Sequence, residues 1–322
     1  MSEVTQNTPF FIVGAGRSGT TLLRLMLVGH PRIHIPPETW FIRDLVKDLP
    51  LNVSLREEQV IRAVEIITTD YRWPDMEMGA DELRAAAILL ESPKLVDIIN
   101  LVYREQLKRC GKPRFGDKTP CYIGILKELN ILYPHCKFIH LIRDGRDVAI
   151  STMDMSRIRY YDRNEFEWPS AMQYRRQYLN SELAAQVLEV RYENLVLRPE
   201  TTIRQICDFL GEEFHPEILS WGNRIDLVPA REQRIHTKLV RPLSADAIGV
   251  WQHRLSGWEC LAIEACLQRD LRWLGYHLRF SGIAWIPLLA AIRWSLWTAA
   301  PLLTRAIPYL QRRNLFPQKT YI

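Results

Sequence analysis

The stretch FFIVGAGRSGTTLLRLML, residues 10–27, constrains the fold more than any other part of the chain, because an apolar run passes through a glycine-rich turn into a helical pattern. Phe10 to Val13 read as a fully buried parallel strand, and Leu22, Leu25, Met26 and Val28 recur at helical spacing up to Gly29. A turn that delivers a strand into a helix start is suited to an anion, since the first-turn N–H groups have no acceptor within the helix. Two fingerprints fit it. Gly14, Gly16 and Gly19 match the G-x-G-x-x-G of dinucleotide-binding folds, whereas Gly14 and Gly19 match the G-x-x-x-x-G-K-[ST] of phosphate-binding loops, with Thr20 where the lysine belongs.

The rest of the chain sets the architecture. A short strand, IHI at 33–35, stops at Pro36 and Pro37 and completes a strand-helix-strand unit, so Glu38 emerges on the sheet edge that carries the glycine loop. Residues 41–110 are helical and charge-rich, with Ser54 and Ser92 as caps, and form a helical excursion over the sheet. CKFIHLIRDGRDVAISTM at 136–153 repeats the strand-to-helix form, with Phe138, Ile139, Leu141 and Ile142 as buried strand and a helix from Asp144. A fourth strand, VLEVRYENL, precedes the helical PETTIRQICDFLG at 199–211. Parallel strands alternating with helices predict an α/β three-layer sandwich around a central parallel sheet. The organisation reads as one α/β domain over 1–279, with the helical insertion at about 41–110, and a separate tail at 280–322.

Composition excludes several partners. A net charge of +5 over 322 residues, with no lysine-rich block, is a poor match to duplex nucleic acid and a better one to a small polyanion or an anionic lipid surface. The six cysteines have no C-x-x-C spacing, so neither a disulfide framework nor a metal site is expected. The opening MSEVTQNTP is polar and leads straight into a strand, which leaves no room for a signal peptide and predicts a cytoplasmic protein. The tail is different: FSGIAWIPLLAAIRWSLWTAAPLL, 280–303, is apolar apart from Arg293 and is followed by Arg305, Arg312, Arg313 and Lys319. Two prolines and a central arginine argue against a spanning helix, while Trp285, Trp294 and Trp297 with flanking arginines suit an interfacial or re-entrant anchor at the inner face of a membrane. The alternative is a pair of helices packed on the domain or on the partner of a homo-oligomer.

Side-chain chemistry weighs the two loop readings. Glu38 lies about where a dinucleotide fold has the acid that binds a ribose hydroxyl. Against that reading, Thr20 and Thr21 bring hydroxyls and amides to the helix start, and Arg17 adds a fixed positive charge, all of which suit a compact anion. Triphosphate hydrolysis is disfavoured too, because the lysine is missing and no apolar strand ends in a magnesium-binding aspartate; LIRD presents arginine first.

The motifs GAGRSGTTLLRLMLVGHP, PPETWF, GDKTP, FIHLIRDGRDVAIS and VRYENLVLRPE, in this order over roughly residues 10–275, resemble the sulfotransferases that use 3′-phosphoadenosine 5′-phosphosulfate (PAPS). The similarity is to the branch with protein-tyrosine and bacterial sulfotransferases, which carries arginine in the first loop and a glutamate base. It implies a P-loop-like phosphosulfate-binding loop and sulfuryl transfer to a hydroxyl or amine. Transfer of SO₃ spreads negative charge over the equatorial oxygens and the leaving phosphate, so fixed cations and N–H donors carry the stabilisation. On that chemistry Arg17, with the amides of Ser18, Gly19, Thr20 and Thr21, holds the phosphosulfate, and Lys118, in the loop GDKTP, is the second cation at the bridging oxygen. Arg143 at a strand end and Ser151 two helical turns on are expected to hold the 3′ phosphate. Glu38 is the candidate general base, with helix capping, an ion pair to Arg43, or ribose binding as its other readings; His34 is a rival base inside a strand. The resemblance alone implies Tyr192 beside the nucleotide and Thr237 and Lys238 in a basic loop closing over it.

The expected function is therefore PAPS-dependent sulfuryl transfer, without a metal, to a hydroxyl-bearing acceptor that the tail suggests is lipid-like or membrane-associated. The competing readings are an NAD-linked oxidoreductase with a Rossmann loop and a non-catalytic nucleotide-binding membrane protein.

Overall fold

The computed structural model describes residues 8–157, 166–233, 239 and 242–281; Thr237, Lys238 and the tail beyond residue 281 lie outside the described residues. Five strands form one parallel sheet in the order β2-β3-β1-β4-β5, with β1 at Phe10–Gly14, β2 at Ile33–His34, β3 at Arg114–Lys118, β4 at Lys137–Ile142 and β5 at Val187–Arg191. Every residue of β1 is buried, which is why its sequence is continuously apolar rather than alternating. Side-chain alternation sends Phe10, Ile12, Ile139, Leu141 and Val190 into a core with the helices Thr20–Leu27 and Pro199–Leu210. On the opposite face Phe11 meets Tyr133 and Phe138, and Phe115 of β3 stacks on Tyr103 of the helix Leu95–Cys110, with ring centroids 4.0 Å apart. Helix, sheet and helix make the three layers.

The strand order fixes where a ligand can sit. The chain leaves β1 toward β2 on one side of the sheet, and leaves β4 toward β5 on the other. Between these neighbours, paired from Phe10↔Lys137 to Gly14↔Leu141, the connections diverge and open a crevice at the strand C-termini. The glycine loop follows β1 and Arg143 follows β4, so both border it.

Four strands are expected from sequence, and the described residues form five. The fifth, β3, was hidden because RFGDK carries charges at a sheet interior. All its residues are buried, with Arg114 donating to Thr8 O (2.8 Å), Leu210 O (3.0 Å) and Glu212 Oε1 (2.9 Å), and Gly116 leaving space for the Phe10 ring. Lys118 is therefore the last residue of a strand, not part of a loop. The strand expected from VLEVRYENL stops at Arg191, and Tyr192 starts the helix Tyr192–Leu197. Between β2 and β3 lie the helices Phe41–Asp48, Glu57–Thr69, Ala80–Ile88 and Leu95–Cys110. The caps of the second and fourth are not Ser54 and Ser92 but Arg56 and Lys94, whose backbone N–H groups donate to Gln59 Oε1 (3.0 Å) and Asp97 Oδ2 (2.8 Å).

Two compact units divide the chain, Met1–Arg143 with Ser151–Ile248, and Asp144–Ile150 with the chain from Gly249 onward. The second is organised by the RDGRD motif. Arg146, 2% exposed, donates to Asp144 Oδ2 (2.7 Å), Glu264 Oε1 (2.5 Å) and His277 O (2.9 Å), with its guanidinium 3.6 Å from the Trp251 ring centroid. Asp147 accepts from the N–H groups of Gly249 (2.8 Å) and Trp251 (2.9 Å). Among the described residues no helix is long and apolar enough to cross a membrane.

Candidate active site

The loop after β1 is shaped by close approach. Gly14 has φ 149°, and a Cβ there would sit 2.6 Å from Leu141 O. Gly19 has φ 97°, and its Cβ would enter the Tyr192 ring. Arg17 adopts φ 67°, a conformation costing a non-glycine residue on the order of 1 kcal/mol, and such strain collects at functional sites. Ser18 N–H closes the turn on Ala15 O (3.3 Å), and Thr20 and Thr21 begin the helix, both buried.

Around this loop the expected phosphate ligands assemble. Arg17 Nε donates to Ser151 Oγ (3.1 Å), and Arg143 donates to Arg17 O (3.2 Å) and Ala247 O (2.8 Å). The Arg143 guanidinium lies 4.4 Å from the Tyr192 ring centroid, and Trp168 Nε1 holds the Arg143 carbonyl at 2.9 Å. Arg17, Gly19, Arg143, Ser151 and Tyr192 thus form one cluster from four separate segments. Two polar atoms at this cluster, Arg143 Nε and Ser18 Oγ of the loop, are buried without a hydrogen-bond partner. Buried polar atoms are rarely left so, and a cationic cluster with unsatisfied donors fits phosphate or sulfate oxygens. The Gly16 N–H already donates to Glu167 Oε2 (3.0 Å), so a carboxylate shares the loop.

Beside it lies the candidate base. The Lys118 ammonium donates to Glu38 Oε1 and to Thr21 Oγ1 (3.3 Å), which ties Glu38 to the glycine loop. Trp40 Nε1 donates to Glu38 Oε2 (2.6 Å). Burial pushes the Glu38 carboxyl upward, but the Lys118 charge, the two hydrogen bonds and Arg72 together outweigh it and hold the group below the usual carboxylate range. The ion pair with Arg43 is not formed; Arg43 lies 3.5 Å from Asp44 instead. His34 is driven down to about 4, chiefly by burial, and sits in β2.

Several residues of the site escaped the sequence reading. Arg24, 4% exposed, donates to Ile35 O (3.0 Å), Pro36 O (2.9 Å) and Leu227 O (2.9 Å) and so fixes the segment that carries Glu38. Burial draws its guanidinium down to about 10, against the pull of nearby carboxylates. Arg72, 5% exposed, stacks between Trp40 (4.3 Å) and Tyr71 (4.0 Å). Glu232, 8% exposed on the helix Ala230–Gln233, is pushed up by burial and by the Glu38 charge, while its neighbour Arg231 pairs with Asp75. Arg72 and Glu232 are far from Glu38 in sequence, and only the fold brings their charges to it. The arrangement offers a desolvated carboxylate, an ammonium in contact with it, and a cationic loop within one side chain's reach, the equipment for moving an anionic group onto a deprotonated nucleophile.

Comparison with known proteins gives the family. The model of the sulfotransferase family matches residues 9–216. Protein-tyrosine sulfotransferase A of Caenorhabditis elegans is 29% identical over 257 residues, 76% of this chain and 62% of the relative. The protein-tyrosine sulfotransferase of Drosophila melanogaster is 26% identical over 264 residues, 77% of this chain and 47% of the relative. The chain spans about half to two thirds of the length of these curated relatives. Among solved structures, the sulfotransferase domain from the curacin biosynthetic pathway superposes with a TM-score of 0.57 at 22% identity, covering 84% of this chain and 98% of that one, a likeness of fold.

Proposed function

Since the chain belongs to the sulfotransferase family, we propose that it transfers a sulfuryl group from PAPS to a hydroxyl or amine, with Glu38 as general base. The observation that carries this reading is the three-way contact of Lys118 with Glu38 and Thr21, because it sets a cation between the base and the anion loop. Glu38 takes the acceptor proton as the acceptor oxygen or nitrogen attacks sulfur in line. The bond from sulfur to the 5′-phosphate oxygen breaks, and adenosine 3′,5′-bisphosphate (PAP) leaves. Arg17 and the amides of Ser18 to Thr21 meet the charge on the transferring group, and Lys118 meets it at the departing oxygen. While Lys118 pairs with Glu38 the carboxylate is a weak base. Once the ammonium turns to the donor, Glu38 loses its counter-charge and becomes more basic, so base strength follows donor occupancy.

Arg143 and Ser151 are assigned to the 3′ phosphate, with Tyr192 stacked on Arg143 at the same end. Arg143→Ala is expected to weaken PAP by about 1.5–3 kcal/mol while leaving adenosine 5′-phosphate nearly unchanged, and Ser151→Ala by less. Calorimetric titration of both nucleotides checks this, and equal losses for the two would remove these residues from the 3′ phosphate.

The acceptor is proposed to be lipid-like or otherwise amphipathic, a reading supported by the Trp- and Arg-rich sequence at 280–322 and by its arginines, each worth on the order of 1 kcal/mol near an anionic leaflet. It would place the protein at the cytoplasmic face of a membrane. The full chain should co-sediment with anionic vesicles at low salt and be released at high salt. Protein that stays in the supernatant as a stable dimer would make the tail a packing element.

A further inference from the structure

Three residues that flank the Glu38–Lys118 pair in sequence are themselves bonded across the same gap. Thr39 follows Glu38, Asp117 precedes Lys118 and Thr119 follows it. Thr39 Oγ1 donates to Asp117 Oδ2 (2.7 Å), and Thr39 N–H donates to Thr119 Oγ1 (3.1 Å). The one hydroxyl proton of Thr39 is committed to Asp117, so Tyr122 must donate its own to Thr39 Oγ1 (2.7 Å) while accepting from Ile42 N–H (3.2 Å). Tyr103 OH donates a second bond to Asp117 Oδ2 (2.7 Å). Thr39, Asp117, Thr119, Tyr103 and Tyr122 are all at most 1% exposed.

A buried carboxylate without a cationic partner in contact is costly to keep, and burial indeed pushes Asp117 upward. Packing alone would be served as well by an apolar residue on this strand. The bonds instead run between the two short segments whose next residues form the ion pair, one bond through a side chain and one through the backbone. We propose that Thr39 and Asp117 are positioning residues, a brace that sets the distance between the base Glu38 and the cation Lys118 without touching substrate. This rests on the proposed roles of Glu38 and Lys118. Because the loop bearing Glu38 has no strand neighbour of its own past His34, the brace to β3 substitutes for a sheet ladder there.

The test compares Thr39→Val, which keeps the shape and loses the hydroxyl, with Thr39→Ser, which restores it, and with Asp117→Asn as an independent second cut. The readouts are kcat, KM for PAPS, PAP affinity, and the titration of the Glu38 carboxyl followed by carbon NMR. Thr39→Val and Asp117→Asn are expected to lower kcat by roughly ten- to a hundredfold, the scale of a sub-ångström to 1 Å misplacement, with PAP affinity unchanged. Thr39→Ser should return most of the rate. Glu38 should titrate at higher pH in Thr39→Val, since a loosened Lys118 no longer holds it down; Trp40, Arg72, Arg24 and Glu232, the other groups facing it, are unaltered. Wild-type kcat with an unshifted Glu38 in both variants overturns the brace. If the wild-type protein binds no PAP, it is the functional reading that fails, and the NMR shift still decides whether Thr39 sets the ion pair.

Discussion

Glu38→Gln should bind PAP as tightly as the wild type and turn over at least roughly a hundredfold more slowly, about 2.7 kcal/mol of lost transition-state stabilisation. Glutamine keeps the shape and can still accept from Trp40 Nε1, while its amide NH2 then faces Lys118, so the variant removes the proton acceptor together with the ion pair. The pH profile adds an independent sign. In the free enzyme the Glu38 carboxyl lies below its ordinary value of 4.5, first resisted by burial and then overcome by Lys118. The acidic limb of kcat/KM should therefore fall below the usual carboxylate range in the wild type and vanish in Glu38→Gln. The ion pair's stabilisation of the fold follows the same sign: it is complete above the unfolded carboxyl's pKa and is lost as pH drops through the lowered one. Near-normal turnover in the variant would remove Glu38 from the mechanism.

Arg146→Met should destabilise the unit built on Asp144–Ile150 and the chain from Gly249 by about 3–5 kcal/mol. Removing the guanidinium leaves two carboxylates, Asp144 and Glu264, at 7% and 3% side-chain exposure with their shared cation gone. It also removes a cation from the face of Trp251 and a donor from His277 O. Hydrogen exchange of the helix Gly257–Trp273 reads this unit directly, and its protection should collapse while that of β1 is retained. A loss under about 1 kcal/mol would mean that the carboxylates find water or other donors and that the arginine is not what organises the unit. In sequence only Arg143 of this RDGRD motif stands out, whereas Arg146, three residues on and inside the helix Gly145–Arg157, is the buried one.

What was legible in the sequence shares a physical trait. The glycine loop, β1, β4 and the positions of Arg17, Arg143 and Ser151 show up because apolar runs of strand length and glycines at fixed offsets are local signals. Glu38 was legible because two prolines end its strand at a known sheet edge. β3 was not, since Arg114, Asp117 and Lys118 reach their partners through residues far along the chain, Glu212, Thr39 and Glu38. A buried charge satisfied at long range looks like a solvated one until the fold is seen. The same holds for Arg24 at a helical position that reads as surface, and for Glu232, whose only sequence context is a short polar turn.

The measurement that bears most directly on the central claim is a calorimetric titration of the full chain with PAP, adenosine 5′-phosphate and NAD. The account predicts one PAP site per chain, with affinity falling by roughly a factor of ten or more when the 3′ phosphate is absent, and no comparable binding of NAD. Tight binding of NAD with no heat from PAP would contradict it and return the loop to the dinucleotide reading.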